Sequence, residues 1–281
     1  MMDLLVSGDW LAAELGAADL RILDATAFLP GTPRDPAAEF EAVHIPGALF
    51  LDLPTLNDAD DPRPSMAPTN AQFAARMTAL GVGKDDRIIV YDNSPLGSAG
   101  RAWWLLRLFG ATQVSILDGG LARWIADGRP VESGEASPAI AQFEAARDDS
   151  QLRAKADMLA NIASCAAQVV DARSGARFRG EAAEPRPGMA EGHIPGSVSL
   201  PSTDLIGADG LWKRGEDLRA EFTQAGVDLD RPLIMTCGSG VTACNLAFGA
   251  ALLGKHDVSI YDGSWSEWGG DAATPKAIGP A

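Results

Sequence analysis

The sequence predicts an α/β protein of two tandem domains, each a mostly parallel sheet flanked by helices on both faces. Two observations support this prediction. An ordered set of landmarks occurs twice at a near-constant separation of about 145 residues, which indicates an internal duplication. Short apolar stretches also alternate with stretches whose apolar residues recur three and four positions apart, the pattern of strands connected by helices.

The repeated landmarks are short and keep the same order in both halves. The first half has Leu23-Asp24-Ala25, Glu39-Phe40, His44-Ile45-Pro46-Gly47, Ile88–Asp92 and Asp118-Gly119-Gly120. The second half has Val170-Asp171-Ala172, Arg177-Phe178, His193-Ile194-Pro195-Gly196, Leu233–Cys237 and Asp262-Gly263-Ser264. We therefore expect an N-terminal domain at 1–135, a polar linker with Pro and Ser at 136–152, and a C-terminal domain at 153–281.

Individual elements can be predicted within this frame. Residues 71–82 and 100–110 have helical periodicity, and Gly81 and Gly110 lie near the expected helix ends. The apolar run Leu233–Met235 predicts a buried strand, and Thr242–Leu253 predicts a helix. Cys237 would then lie in the loop between a strand and a helix.

Composition excludes several classes of function. The chain has 23 basic and 38 acidic residues and a formal net charge of −15, which is unfavourable for binding nucleic acid or an anionic membrane surface. No apolar stretch approaches the ~20 residues of a membrane span, and the N-terminus lacks the basic region of a secretory signal. Three cysteines in 281 residues do not form a disulfide framework. These features predict a cytoplasmic protein.

The most informative segment is the loop that starts at Cys237. Gly238 and Gly240 allow sharp turns that expose successive backbone N–H groups, and the following helix adds positive partial charge at its N-terminus. Both effects stabilise a thiolate. The alternative is a small buried cysteine at a strand end. The matching position in the first half is Asp92, so we expect the chemistry in the second half only.

Other cysteine chemistries fit less well. A cysteine phosphatase needs Arg six residues after the cysteine to bind phosphoryl oxygens, but Ala243 stands there. Cys237 and Cys244 are not at CxxC spacing and no His cluster is near, which disfavours zinc. We expect Cys165 and Cys244 to pack in the core, with a redox role for either left open.

Arginines and histidines supply further candidates. Arg177 and Arg186 lie in an Arg-rich loop without an equivalent in the first half, and two guanidiniums can clamp a carboxylate; the alternative is solvated surface arginines. The repeated His-Ile-Pro-Gly favours a structural turn, although His44 could also act as an acid or orienting group. Asp35 could be a turn or cap residue.

The tandem landmarks and the Cys237–Ala243 loop resemble the rhodanese superfamily over nearly the whole chain, and the loop is similar to that of its 3-mercaptopyruvate sulfurtransferases. Thiosulfate sulfurtransferases usually have Arg and Lys after the cysteine, where this chain has Gly238 and Ser239. The resemblance implies two rhodanese-like domains and transfer of sulfur from 3-mercaptopyruvate through a Cys237 persulfide. The acceptor would be a thiol, cyanide or a thioredoxin-like protein. A thiosulfate sulfurtransferase and a non-catalytic sulfur carrier are the alternatives.

The resemblance also implies roles for individual residues. Arg177 and Arg186 would bind the carboxylate and carbonyl end of mercaptopyruvate. Ser239, His44 and Asp35 would form an auxiliary triad. Other loop residues would contact the substrate, namely Gly238, Gly240, Val241 and Thr242. No metal or organic cofactor is expected.

Overall fold

Each half of the chain folds around its own five-stranded sheet, in which every strand pairing is parallel. The computed structural model describes residues 2–136, 138 and 140–280. The chain forms two compact units. The first comprises Met1–Asp58 and Ala67–Asp148, and the second comprises Ala59–Met66 and Asp149–Ala281.

The first unit alternates strands and helices along the chain. Its strands are β1 (Leu5–Val6), β2 (Leu20–Asp24), β3 (Ala48–Phe50), β4 (Arg87–Tyr91) and β5 (Val114–Leu117). Its helices are α1 (Gly8–Glu14), α2 (Pro36–Ala42), α3 (Asn70–Ala79), α4 (Ala99–Leu108) and α5 (Gly120–Ala126). The strand order is β1-β5-β4-β2-β3.

The second unit repeats this arrangement. Its strands are β6 (Leu152–Arg153), β7 (Gln168–Asp171), β8 (Val198–Ser199), β9 (Leu233–Thr236) and β10 (Val258–Tyr261). Its helices are α6 (Lys155–Ser164), α7 (Gly175–Phe178), α8 (Gly215–Gln224), α9 (Ala243–Leu252) and α10 (Ser264–Trp268). The order β6-β10-β9-β7-β8 matches the first unit strand for strand. The predicted fold class of two duplicated parallel α/β sheets is confirmed.

The central strands and helix α9 are apolar and buried in the interior of each unit. β4 and β9 are almost entirely buried, and every residue of α9 from Ala243 to Ala251 is buried. Continuous apolar runs of this kind are expected for parallel strands covered on both faces. Polar caps set helix starts: Thr69 and Gln72 form a reciprocal capping box at α3.

A short segment from the first half of the sequence belongs to the second unit. Within Ala59–Met66, Arg63 donates to Glu267 of α10 over 2.7 Å and also pairs with Asp61. Glu267 in turn accepts a 2.8 Å hydrogen bond from the Tyr261 hydroxyl. The predicted linker at 136–152 includes Ser137 and Ala139, which lie outside the described residues. The domain boundaries at 135 and 153 stay a prediction.

The His-Ile-Pro-Gly turn of the second unit holds the C-terminal segment. His193 and Ala277 exchange backbone hydrogen bonds of 2.8 and 3.0 Å. Gly192 precedes this bridge with φ +103°, and a Cβ atom there would lie 2.1 Å from the Ala277 carbonyl oxygen. Gly196 has φ +79°, but a Cβ there would meet nothing within 4 Å.

We therefore expect Gly192→Ala and Gly196→Ala to differ in stability. Both carry the cost of a left-handed alanine, about 1 kcal/mol. Gly192→Ala must also displace the Ala277 carbonyl and should lose roughly 3 kcal/mol or more, as for other substitutions that force backbone to move. Urea unfolding followed by tryptophan fluorescence measures the difference. Equal unfolding midpoints for the two variants would contradict the expectation.

Candidate active site

Cys237 lies at the carboxyl end of the central strand β9. The strand extends one residue beyond the predicted Leu233–Met235, and α9 begins at Ala243, one residue after the predicted start. Cys237 is 2% exposed. Ligand sites of parallel α/β sheets lie at the carboxyl ends of the strands. The predicted strand, loop and helix around this cysteine are therefore confirmed.

The two loop glycines differ in backbone conformation and in their neighbours. Gly240 has φ +78°, a left-handed conformation that favours glycine. Gly238 does not have positive φ, although the backbone bends there as expected. A Cβ atom at Gly238 would instead lie 3.1 Å from Arg177 Nη2. The Arg177 guanidinium therefore approaches the backbone closely at Gly238.

Helix α10 holds the start of the loop in place. The Trp265 and Ser266 N–H groups donate to the carbonyl oxygens of Cys237 and Gly238, each over 2.9 Å. The Ser264 hydroxyl accepts from the Cys237 N–H over 3.2 Å and donates to the Tyr261 carbonyl over 2.8 Å. Ser264 is fully buried and has φ +47°, an uncommon conformation for a residue with a side chain. These contacts fix the backbone on both sides of the Cys237 Sγ.

The first unit shows what this loop can bind. At the matching strand end, the Asp92 carboxylate accepts from the Ala99 N–H over 2.6 Å and from the Ser94 N–H over 3.3 Å. The counterparts of these two donors in the second unit are Ala243 and Ser239. Their N–H groups donate to no acceptor among the described residues. The loop after Cys237 thus keeps the amide donors with which its counterpart holds an anion.

Arg177 is positioned by a buried network of ion pairs. Glu184, whose side chain is 4% exposed, pairs through one oxygen with Arg173 at 2.7 Å and through the other with Arg177. Arg173 is fully buried and also pairs with Asp171 at the end of β7 over 2.6 Å. The network therefore connects the end of β7 to the guanidinium that lies beside Gly238.

Arg186 reaches the loop through α10. Its Nη1 donates to the Ser266 hydroxyl over 3.2 Å, and that hydroxyl donates to the Gly238 carbonyl over 2.6 Å. Burial lowers the pKa of Arg186, the Cys237 and Glu184 charges raise it, and the Arg177 charge lowers it further. The two predicted arginines therefore lie close enough to each other and to Cys237 to interact electrostatically.

The other predicted site residues occupy two places. Ser239, Val241 and Thr242 lie in the partly buried loop between β9 and α9. His44 and Asp35 belong to the first unit. His44 is 2% exposed, lies 2.7 Å through Nδ1 from the Phe40 carbonyl oxygen and stacks on the Phe40 ring.

The structure gives both first-unit residues local roles. His193 repeats the His44 arrangement on Phe178, with an Nδ1 to oxygen distance of 2.8 Å, as expected for a structural turn. Asp35 caps α2 by accepting from the Ala37 and Ala38 N–H groups. Catalytic roles for His44 and Asp35 with Ser239 stay a prediction.

The two remaining cysteines differ in burial. Cys244 is fully buried in α9, as expected, with its Sγ 3.2 Å from the Gly240 carbonyl oxygen. The expectation that Cys165 packs in the core is wrong, because Cys165 ends α6 with φ +51° and is exposed. In the part of the chain that the structure describes, no group of three or more His, Cys, Asp or Glu side chains could hold a metal ion.

Sequence reasoning missed the residues that support this site, namely Ser264, Ser266, Glu184 and Arg173. A comparison of the repeats contains part of the signal. Ser264 aligns with Gly120, and Arg173 aligns with Thr26, so both differ between the units. Their partners could not be found in this way, because Glu184 lies in a loop without a first-half counterpart.

The Asp92 carboxylate makes the stability of the first unit depend on pH. Burial raises its pKa to about 6, and hydrogen bonds from Ala99 and Ser94 offset only part of the shift. The folded state binds this proton more tightly than the unfolded state. The stabilisation that Asp92 protonation gives to the folded state is therefore complete below about pH 4 and is lost as pH rises through about 6.

We expect the wild-type protein to lose about 1–3 kcal/mol more stability than Asp92→Asn between about pH 4 and pH 7. Urea unfolding at several pH values measures how the free energy of unfolding of each protein depends on pH. Asp85→Asn, at an exposed carboxylate of the same unit, controls for the loss of one charge. The explanation fails if the free energy of unfolding of Asp92→Asn depends on pH as strongly as that of the wild-type protein.

Comparison with known proteins identifies the family to which this chain is similar. The model of the rhodanese-like domain matches the chain twice, at residues 7–127 and 154–271. No helix of the described residues is long and apolar enough to cross a membrane.

Individual relatives cover nearly the whole chain. The human 3-mercaptopyruvate sulfurtransferase is 46% identical over 94% of this chain and 91% of its own. A thiosulfate sulfurtransferase of Cricetulus griseus is 43% identical over the same shares. The crystal structure of an Escherichia coli 3-mercaptopyruvate sulfotransferase, 41% identical, has a TM-score of 0.86 and covers 95% of this chain and 100% of that one. The predicted resemblance is confirmed, and the chain belongs to the rhodanese family, as a tandem-domain sulfurtransferase related to the 3-mercaptopyruvate enzymes.

Proposed function

We propose that this enzyme takes sulfur from 3-mercaptopyruvate and carries it on Cys237 as a persulfide. The observation that supports the proposal best is the position of Arg177 and Arg186 around Gly238. One guanidinium lies against the Gly238 backbone, and the other reaches the Gly238 carbonyl through Ser266. A donor with a carboxylate at one end and a thiol at the other fits two cations beside one cysteine.

The donor is distinguished from thiosulfate by where the positive charges stand. The loop from Cys237 to Ala243 contains no Lys or Arg. Its cations lie outside the loop, where they suit a carboxylate several bonds away from the reacting sulfur. Thiosulfate carries its charge on the sulfonate next to that sulfur. The similarity to a thiosulfate sulfurtransferase keeps thiosulfate as the second candidate donor.

The proposed first step forms an S–S bond and breaks a C–S bond. The Cys237 thiolate attacks the thiol sulfur of the substrate, and the electron pair of the C–S bond moves into the departing three-carbon unit. Pyruvate leaves as its enolate and then takes a proton. The arginines stabilise the negative charge on the enolate oxygen. Cys237 is left as a persulfide, which divides the reaction into two steps.

The N–H groups of Ser239 and Ala243, which have no acceptor among the described residues, suit the persulfide state. In the first unit the equivalent donors hold the Asp92 carboxylate, which is an anionic group one or two bonds beyond the Cβ atom. A persulfide sulfur at Cys237 extends a similar distance from the strand end. The loop would therefore stabilise the outer sulfur as an anion while it awaits an acceptor.

The second step returns the cysteine to its thiolate form. A thiol, cyanide or the dithiol of a thioredoxin-like protein attacks the outer sulfur, and Cys237 leaves as the thiolate. The three free cysteines of the described chain fit a reducing compartment, so we place the reaction in the cytoplasm.

The donor preference is tested by measuring kcat/KM for 3-mercaptopyruvate and for thiosulfate with one acceptor. We expect mercaptopyruvate to be preferred by about tenfold or more, since a carboxylate clamp contributes roughly 1.5–3 kcal/mol. Cys237→Ser should abolish turnover with both donors, and Cys244→Ser should retain it. A preference for thiosulfate would contradict the proposed donor. One added sulfur by intact mass without repeated turnover would instead indicate a sulfur carrier.

The substrate clamp is tested with Arg186→Gln. We expect KM for mercaptopyruvate to rise about 10- to 100-fold, because a charge-assisted hydrogen bond to the carboxylate is lost. KM for a thiol donor without a carboxylate should change little. Arg179→Gln is the matched control, because Arg179 lies in the same segment but pairs with the exposed Glu181. An equal rise in KM for both kinds of donor would contradict the clamp.

A further inference from the structure

The two units differ at the second residue after the aspartate that ends their second strand. β2 ends at Asp24 and is followed by Ala25 and Thr26; β7 ends at Asp171 and is followed by Ala172 and Arg173. The local backbone is the same in both, because each aspartate accepts from the N–H group two residues later. The distances are 2.8 Å for Thr26 and 3.0 Å for Arg173. Only the second unit has a cation at this point.

In the second unit the Arg173 guanidinium fills a closed polar site. It donates through Nε and Nη2 to Asp171, and also through Nη2 to the Gly192 carbonyl over 2.8 Å. Its Nη1 pairs with Glu184, and its plane lies over the Trp265 ring at 4.3 Å from the centroid. The guanidinium is thus surrounded by two carboxylates, a carbonyl and an aromatic ring.

The first unit keeps part of these surroundings, without the guanidinium and without a counterpart of Glu184. A cavity of about 210 Å³ is lined there by Asp24, Thr26, Val43 and Leu121, among others. Val43 precedes His44 as Gly192 precedes His193. The Leu121 N–H donates to the Asp92 carbonyl as the Trp265 N–H donates to that of Cys237. The cavity therefore corresponds to the space that the Arg173 side chain occupies in the second unit.

Asp24 is a buried carboxylate that lines this cavity, and the imidazole of His44 acts on it electrostatically. It is 2% exposed, and its hydrogen bonds come from Thr26 and the Tyr91 hydroxyl, both uncharged. Burial raises its pKa. No Lys or Arg of the described residues forms an ion pair with it. The arginine that lines the cavity, Arg34, is already bound at both ends of its fork by Glu39, over 2.6 Å each.

We propose that the first unit contains a binding site for a small guanidinium compound, held by the Asp24 carboxylate in the cavity that Thr26 leaves open. The ligand would take the place that the Arg173 guanidinium holds in the second unit, donating to Asp24 and to the Val43 carbonyl. A planar guanidinium would lie against Leu121. This site is separate from Cys237 and its arginines, which belong to the second unit.

The probe for this site is methylguanidinium, with urea as a neutral ligand of similar shape. Binding is measured by isothermal titration calorimetry at constant ionic strength. We expect saturable binding of methylguanidinium in the millimolar range, and binding of urea at least about tenfold weaker, since urea can donate hydrogen bonds to a carboxylate but carries no positive charge. Equal affinity for the two compounds, or no saturable binding of methylguanidinium, would overturn the proposal.

Two variants locate the binding. Asp24→Asn should weaken methylguanidinium binding at least about tenfold, while Asp85→Asn, which removes the same charge at an exposed position, should not. Thr26→Arg should place a guanidinium in the cavity, abolish binding and raise the melting temperature. Wild-type affinity in Asp24→Asn would overturn the proposal even if Thr26→Arg failed to fold.

Discussion

The ion pairs of Glu184 are the interaction on which the candidate active site depends. This carboxylate is almost fully buried and joins Arg173 to Arg177. A buried charge is tolerated only when it is paired, and removing one partner of such a pair costs about 3–5 kcal/mol. Because Arg173 is itself anchored to Asp171 at the end of β7, the position of Arg177 follows from the sheet. The Arg177 side chain is therefore held in one position beside the cysteine loop.

The duplication explains why a site of this kind could form on one unit only. Both units hold the end of their central strand with a backbone bond from the helix that follows the last strand, from Leu121 in one and Trp265 in the other. Both present amide donors after that strand end. The first unit satisfies its donors with Asp92, whereas the Ser239 and Ala243 N–H groups of the second unit have no acceptor among the described residues. The same backbone arrangement thus carries an aspartate in the first unit and a cysteine in the second.

The fold and the position of Cys237 between a strand and a helix could be predicted from local patterns. Alternating apolar and amphipathic stretches, repeated in register, indicate two parallel sheets whichever side chains fill them. A cysteine between a strand and a helix, followed by glycines, already indicates the chemistry. Exposure of Cys165 could not be predicted in this way, because it depends on where α6 ends. The helix ends in a left-handed residue, which turns this cysteine outward.

The architecture, the cysteine loop and the arginines beside it are predictable from the sequence, because they depend on periodicity, on residue type and on one comparison between halves. The groups that hold them are known from the folded structure alone. Ser264, Ser266 and Glu184 act across separations of up to 80 residues, and their partners are selected by packing at the carboxyl edge of the sheet. The same holds for Gly238. Its backbone angle is not the left-handed one that glycine often supplies, and the Arg177 guanidinium approaches it closely.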